Sequence, residues 1–290
     1  MPPKTLKYRY HRGNGVTIYL AKYRLLVIDI DGTLVNRDGA ISDRDRQVLA
    51  QAAAMGVKVA LSTGRVIRAC RRIIDLLSLD GYHIFFDGAL VSDPHQSREV
   101  YVQPLKKEVV RRAVEFVRKN NTYLELYSSE NFFAERENWS DAIHRRFFKV
   151  EPTFVDFSGI WERERIVKAE LVVHNPEEAA KAGSFQKEFD GSLRFSIARA
   201  PAYPGIDFVN IIDPGVSKGE ALKALASFVD IPMSEVIAIG DGLNDISLLE
   251  VAGTAVAMGN AFPEVKKVAD HITLDVEDSG VAVAVERFVL

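Results

Sequence analysis

Two aspartates one residue apart close an apolar run in this 290-residue chain: Leu25-Leu26-Val27-Ile28 leads into Asp29-Ile30-Asp31-Gly32-Thr33-Leu34. The run reads as a buried strand, and side chains two apart on a strand point the same way. Carboxylates so placed repel unless a cation lies between them or one holds a proton. The first state suits a hard cation such as Mg²⁺, which takes oxygen ligands. The second supplies a general acid. Asp-Gly also marks an ordinary turn at a strand end, so the pair gains meaning only from what else reaches it.

Three further clusters sit at comparable places. Ser62-Thr63-Gly64-Arg65 follows the apolar run Val57-Lys58-Val59-Ala60-Leu61 and opens a helical stretch. A hydroxyl, a glycine that admits close backbone approach, and a helix N-terminus together suit an anion such as phosphate. Ser217-Lys218-Gly219 puts a lysine at a helix start, where the helix dipole disfavours it; neighbouring carboxylates and a phosphate would explain its presence. Gly240-Asp241-Gly242-Leu243-Asn244-Asp245 follows Val236-Ile237-Ala238-Ile239 with more acidic groups and a tight loop. Each alone has a plain reading: helix-capping hydroxyls for the first, a solvated surface lysine for the second, an Asx-rich turn for the third. A parallel sheet gathers strand ends on one edge, and together the four clusters describe a phosphoryl-transfer site.

The elements that must position them alternate. From Tyr23 to Phe86 the pattern is strand, helix (Ser42 to Met55), strand, helix (Val66 to Leu77), strand, and the alternation resumes from Lys218. That order predicts a parallel sheet flanked by helices. From Ser92 to about Asp207 the strands become partly alternating and are separated by longer helices, which suits an α+β layer whose mostly antiparallel sheet has one wet face. The expected fold class is α/β, a Rossmann-like core with an inserted α+β domain. Residues 1–22 read as an N-terminal extension, 23–91 and 208–290 as the core, and 92–207 as the insert.

Composition narrows the partners. Lys plus Arg number 37 against 40 Asp plus Glu, a formal net charge of −3, which lacks the positive field that nucleic-acid binding needs. The single cysteine, Cys70, excludes an internal disulfide framework and fits a reducing compartment. No stretch reaches about 18 consecutive apolar residues, so no membrane partner is expected and a cytoplasmic location is the default. The six histidines show no paired metal-ligand spacing, which argues against zinc.

With these residues in view, the sequence resembles the haloacid dehalogenase superfamily, specifically its Cof-type, sugar-phosphatase-like branch. Asp29-x-Asp31-Gly-Thr resembles motif I, Thr63-Gly-Arg motif II, Lys218 within Gly-Val-Ser-Lys-Gly motif III, and Gly-Asp241-x-x-Asn244-Asp245 motif IV. Met258-Gly259-Asn260-Ala261 and Gly280-Val281-Ala282 resemble the branch's C-terminal pattern. The resemblance implies that the insert is a C2-type cap. It further implies Asp29 as nucleophile, forming an aspartyl-phosphate, and Asp31 as the acid that protonates the leaving alcohol and the base that then activates water. Thr63 would hold the transferring phosphoryl group and Lys218 neutralise charge on it and on Asp29. Ile30, Gly64, Arg65, Asp87 and Asn244 would lie against phosphate or substrate. Mg²⁺ would be bound by Asp29, Asp31, Asp241 and Asp245, with a backbone carbonyl of the Ile30–Asp31 region among its ligands.

One departure stands out: where the branch has Asn-Gly-Ala, this chain has Asp87-Gly88-Ala89. A carboxylate accepts hydrogen bonds, whereas an amide also donates; Asp87 either faces the substrate or serves its turn. The expected activity is a Mg²⁺-dependent phosphatase acting on small phosphorylated metabolites, sugar phosphates first, as a monomer or homodimer. A phosphomutase on the same core and a catalytically idle binding protein of the fold are the competing readings. The cap loops Tyr127 to Asn131 and Ala200 to Gly205 carry no legible substrate code.

Overall fold

The computed structural model describes residues 8–11, 17–20, 22–148, 150–198 and 204–290. Of the expected N-terminal extension, Tyr8–His11 and Thr17–Leu20 pair as an antiparallel hairpin; the rest of residues 1–21 lies outside the described residues, as do residues 199–203, which include most of the second cap loop.

The chain forms two units by contact. One comprises Met1–Thr63, Ile73–Val100 and Ser217–Leu290; the other comprises Gly64–Arg72 and Tyr101–Val216. These divisions differ from the expected boundaries at 91/92 and 207/208. The strands Leu90–Asp93 and Arg98–Val102 extend the first sheet beyond residue 91. Asp207–Ile212 is an interior strand of the second sheet, paired on both sides, so a boundary at 207/208 would fall within it and cut a hydrogen-bonded sheet.

In the eight-stranded sheet the strand order runs His271–Ile272, Thr254–Ala257, Val236–Gly240, Leu25–Asp29, Lys58–Ser62, His83–Phe85, Leu90–Asp93, Arg98–Val102. The first six are mutually parallel and Leu90–Asp93 turns back antiparallel. The chain moves from Leu25–Asp29 toward one edge and later returns through Val236–Gly240 on the other side. Leu25–Asp29 is therefore the topological switch point, outside whose carboxyl end open α/β sheets bind ligands. Its residues are all buried, as are Ile237, Ala238 and Ile239 beside it, which explains their unbroken apolar run. Ser42, the predicted cap, accepts from the Asp45 backbone N–H at 3.0 Å and starts the helix Asp43–Ala54.

The six-stranded sheet orders Thr153–Phe154, Phe132–Ala134, Glu125–Tyr127, Lys168–Val173, Asp207–Ile212, Arg194–Ala198, antiparallel except for its first pair. Leu126, Phe133, Ala169, Leu171, Val209 and Ile211 form an apolar core with Val114 and Val117 of the helix Lys107–Lys119 and Phe185 of Pro176–Glu188. The opposite face, expected to be wet, instead buries Glu125, Tyr127, Lys168, Glu170 and Asn210. Ionic alternation along a strand cannot by itself distinguish solvated charges from charges buried in pairs.

Candidate active site

Three of the four clusters meet around Asp29 within the first unit. Asp29 ends its strand almost fully buried, and the Lys218 ammonium lies 2.6 Å from its Oδ1 and 2.6 Å from Asp245 Oδ1. Lys218 opens the helix Lys218–Phe228, capped by Ser217, and is 1% exposed. Its position at the positive end of a helix is thus offset by two carboxylates brought from 189 and 27 residues away in sequence. Burial works against its charge, but Asp245 and Asp29 outweigh it and hold the ammonium above the ordinary lysine range.

Asp245 also shapes the loop that carries Asp241. Its Oδ2 accepts from the backbone N–H groups of Asp241 (3.0 Å) and Gly242 (2.9 Å), so both of its oxygens are engaged. Asp241 is held in turn by Thr33, whose hydroxyl donates to Oδ1 at 2.8 Å, and by Asn260 Nδ2, 3.3 Å from Oδ2. The same Asn260 amide donates to the Gly32 carbonyl at 2.7 Å and accepts from Val276 N–H at 3.0 Å, tying the first and last loops together. Gly32 has φ 83°, and a Cβ there would lie 2.5 Å from Asp241 Oδ2; glycine is required by both backbone and space.

Ligand oxygens of Asp29, Asp241 and Asp245 lie within 4.8 Å of one another. Burial, then the charge of Asp245, pushes the Asp29 carboxyl well above the usual carboxylate range, although Lys218 pulls the other way. Burial likewise raises Asp241 to about 6, with Thr33 opposing and Asp245 adding. Three carboxylates against one ammonium leave an excess of negative charge on an all-oxygen donor set. That fits a hard divalent cation of the Mg²⁺ type.

The remaining expected residues are distributed as follows. Asp31 is exposed just past the strand, close enough to raise both Asp29 and Asp241 by like charge. Ile30 is buried, and its carbonyl accepts from Leu34 N–H (3.0 Å) and Val35 N–H (2.8 Å), which closes the turn after the strand. Thr63 is buried, with its N–H on the Ile84 carbonyl at 2.9 Å and its own carbonyl accepting from Asp87 N–H at 3.0 Å. Gly64 and Arg65 are half-buried and group with the second unit. Asn244 Nδ2 donates to Asp87 Oδ1 at 2.8 Å. Thr33 and Asn260 lie inside quoted motifs, yet neither had a predicted role; their hydrogen bonds reach across 208 and 228 residues respectively.

The second unit holds a polar cluster that the sequence did not reveal. Glu125, His144 and Glu170 bring ligand atoms within 4.8 Å. Their partners are already present. Glu125 accepts from Tyr127 Oη (2.8 Å) and Ser140 Oγ (3.1 Å) and meets His144 Nε2 at 3.0 Å, while Lys168 pairs with Glu170. This is a buried, internally satisfied network.

Comparison with known proteins agrees with the geometry. The family model of haloacid dehalogenase-like hydrolases matches residues 26–285. The chain is 30% identical over 275 residues to the putative phosphatase YxeH of Bacillus subtilis, covering 92% of this chain and 99% of that protein. It is 31% identical over 269 residues to the 5-amino-6-(5-phospho-D-ribitylamino)uracil phosphatase YcsE of the same organism, covering 92% and 96%. The crystal structure of a haloacid dehalogenase-like hydrolase from Bacteroides thetaiotaomicron superposes with TM-score 0.77 at 27% identity, covering 91% and 99%.

Proposed function

The chain belongs to the haloacid dehalogenase-like hydrolase family, and on that premise we propose that it is a Mg²⁺-dependent phosphatase that hydrolyses small phosphorylated metabolites through an aspartyl-phosphate on Asp29. The observation that carries the proposal is the Lys218 ammonium bridging Asp29 and Asp245 at 2.6 Å each, beside Asp241 at the switch point of the sheet.

Lys218 binds Asp29 Oδ1, so Oδ2 is the oxygen that attacks phosphorus. A bond forms between Asp29 and phosphorus as the bond to the leaving alcohol breaks, and Asp31 supplies the proton that the departing oxygen needs. Exposure of Asp31 suits a group that exchanges protons with incoming and outgoing molecules. In the second half Asp31 takes a proton from water, the water oxygen attacks phosphorus, and the Asp29 carboxylate leaves. Lys218 stabilises negative charge on Asp29 and on the phosphoryl oxygens throughout. Asn244 and Thr63 contribute donors to the phosphoryl group. A bound Mg²⁺, held by Asp29 and Asp241 with Asp245 bracing the loop, would supply charge neutralisation for the phosphate oxygens.

The second unit, Tyr101–Val216 with Gly64–Arg72, is assigned as the cap that selects the leaving group. Sugar phosphates and related polyhydroxylated phosphates are the preferred substrate class; the similarity to a phosphatase named for a phosphoribityl substrate supports that choice. The proposal is tested by phosphate release from an aryl phosphate and from a panel of sugar phosphates, with Mg²⁺ and with chelator. Release that requires Mg²⁺ supports it. An inert protein, or isomerised sugar phosphate without free phosphate, contradicts it.

A further inference from the structure

Asp87 stands in a turn under unusual constraint. Phe86 and Asp87 both adopt left-handed backbone, φ 53° and 54°, and Gly88 follows at 101°. Side-chain-bearing residues persist in that region where the surroundings impose it, commonly at functional sites. Here the constraint is visible: a Cβ on Gly88 would lie 2.2 Å from the Ser217 carbonyl oxygen, so the turn is pressed against the start of the helix that carries Lys218. The Asp87 backbone N–H is bound to the Thr63 carbonyl at 3.0 Å. A buried carboxylate is thereby fixed in place, and its Oδ1 accepts from Asn244 Nδ2 at 2.8 Å.

A carboxylate can only accept, so Asp87 determines which end of the Asn244 amide faces it. The nitrogen is turned toward Asp87, a residue near enough to raise Lys218 through its charge. The amide oxygen is turned to the opposite side, where a Cβ on Gly242 would come within 2.6 Å of it. Flipping the amide would set its oxygen against the Asp87 carboxylate. An asparagine at position 87, able to donate or accept, would tolerate either orientation.

We propose that Asp87 is a positioning residue that acts through Asn244, locking its amide so that the second Nδ2 hydrogen is presented to a phosphoryl oxygen of the substrate. The inference rests on the phosphatase reading above. It has a competitor of opposite sign: a carboxylate this close repels a phosphate dianion, so if direct charge were its main influence, neutralising it would tighten phosphate binding.

The dissociation constant of inorganic phosphate, measured calorimetrically in Mg²⁺ on wild type, Asp87→Asn, Asn244→Ala and the double variant, separates the two. Asparagine tolerates left-handed backbone as aspartate does, which makes Asp87→Asn a mild change. Both single variants should weaken phosphate by about threefold to tenfold, and the double variant should be no weaker than Asn244→Ala alone, the coupling expected of groups acting as one unit. KM for an aryl phosphate should rise in parallel, with kcat changing less. Tighter phosphate binding in Asp87→Asn, or the same effect of that substitution in both backgrounds, overturns the proposal. Should Asp87→Asn fail to fold, an unchanged constant in Asn244→Ala, whose side chain is exposed, overturns it equally. A wild type that hydrolyses phosphomonoesters while the constants prove additive sinks this inference alone; a wild type that neither hydrolyses them nor binds phosphate sinks the functional reading with it.

Discussion

The Lys218 ammonium lies 2.6 Å from Asp29 Oδ1 in a site where the lysine is 1% exposed. Removing one member of such a buried pair leaves an uncompensated charge, at a cost of about 3–5 kcal/mol. Lys218→Met should therefore lower stability by roughly that amount and also abolish phosphate release. Urea unfolding monitored by circular dichroism checks the first effect and an aryl-phosphate assay the second. A variant with unchanged stability would show that Asp29 and Asp245 do not depend on this cation.

Gly88 offers a steric test of how the lysine is placed. A Cβ would collide with the Ser217 carbonyl at 2.2 Å, and the backbone φ is 101°, so neither atom can yield cheaply. Gly88→Ala should destabilise by about 2 kcal/mol or more and reduce turnover by shifting the start of the Lys218 helix. Gly39→Ala, at a glycine with φ 78° and nothing within 4 Å of its Cβ position, serves as the control: it carries backbone strain alone and should leave turnover intact.

Asp29 and Asp241 were legible because each closes or follows an unbroken apolar run and parallel strands gather their carboxyl ends; Lys218 was legible as a cation at a helix start. Less legible were contacts that depend on distant side chains. Nothing local in Asn260 announces hydrogen bonds to Gly32 and Asp241, and nothing in Asp87 announces Asn244. Nor does anything local in Ile30 announce that its carbonyl closes the turn to Leu34 and Val35. Glu125 and Glu170 lie on the sheet face expected to be wet; only packing brings His144, Tyr127 and Lys168 to them.

Two histidines give the fold opposite responses to pH. Burial pushes His83 down to about 4, below the unfolded value near 6.5. Its contribution is complete above about pH 6.5 and is lost as pH falls toward 4, up to ~3 kcal/mol by linkage. His83 Nδ1 accepts from Leu61 N–H at 3.1 Å, which leaves the ring proton on a buried Nε2 that has no hydrogen-bond partner among the described residues. His83→Asn keeps an acceptor near Nδ1 and should flatten the acid side of a stability-versus-pH curve; an unchanged curve contradicts the assignment.

His144 has the reverse sign. Burial disfavours its charge, but the charge and hydrogen bond of Glu125 outweigh that and raise it. Its contribution is fully present below the unfolded value of about 6.5 and is lost as pH rises through the higher folded value. The stability gap between wild type and His144→Gln, followed by thermal melting, should narrow from pH 6 toward alkaline pH. A gap that widens would contradict the charged pair.

Asp241 is raised to about 6 by burial, with Asp245 adding to the shift, and a cation must displace its proton. Mg²⁺ affinity should fall about tenfold between pH 7.5 and pH 5, with proton release detectable by calorimetry in buffers of different ionisation enthalpy. Thr33→Val removes the hydroxyl that opposes the shift and should move this transition to higher pH. Affinity independent of pH would remove Asp241 from the cation site.

The central claim is that the Asp29 carboxylate attacks phosphorus, and turnover of Asp29→Asn under single-turnover conditions measures it most directly. The amide keeps the size of the side chain and removes the nucleophilic charge, so phosphate release should be abolished while the variant stays folded. Near-normal release by that variant would contradict the account.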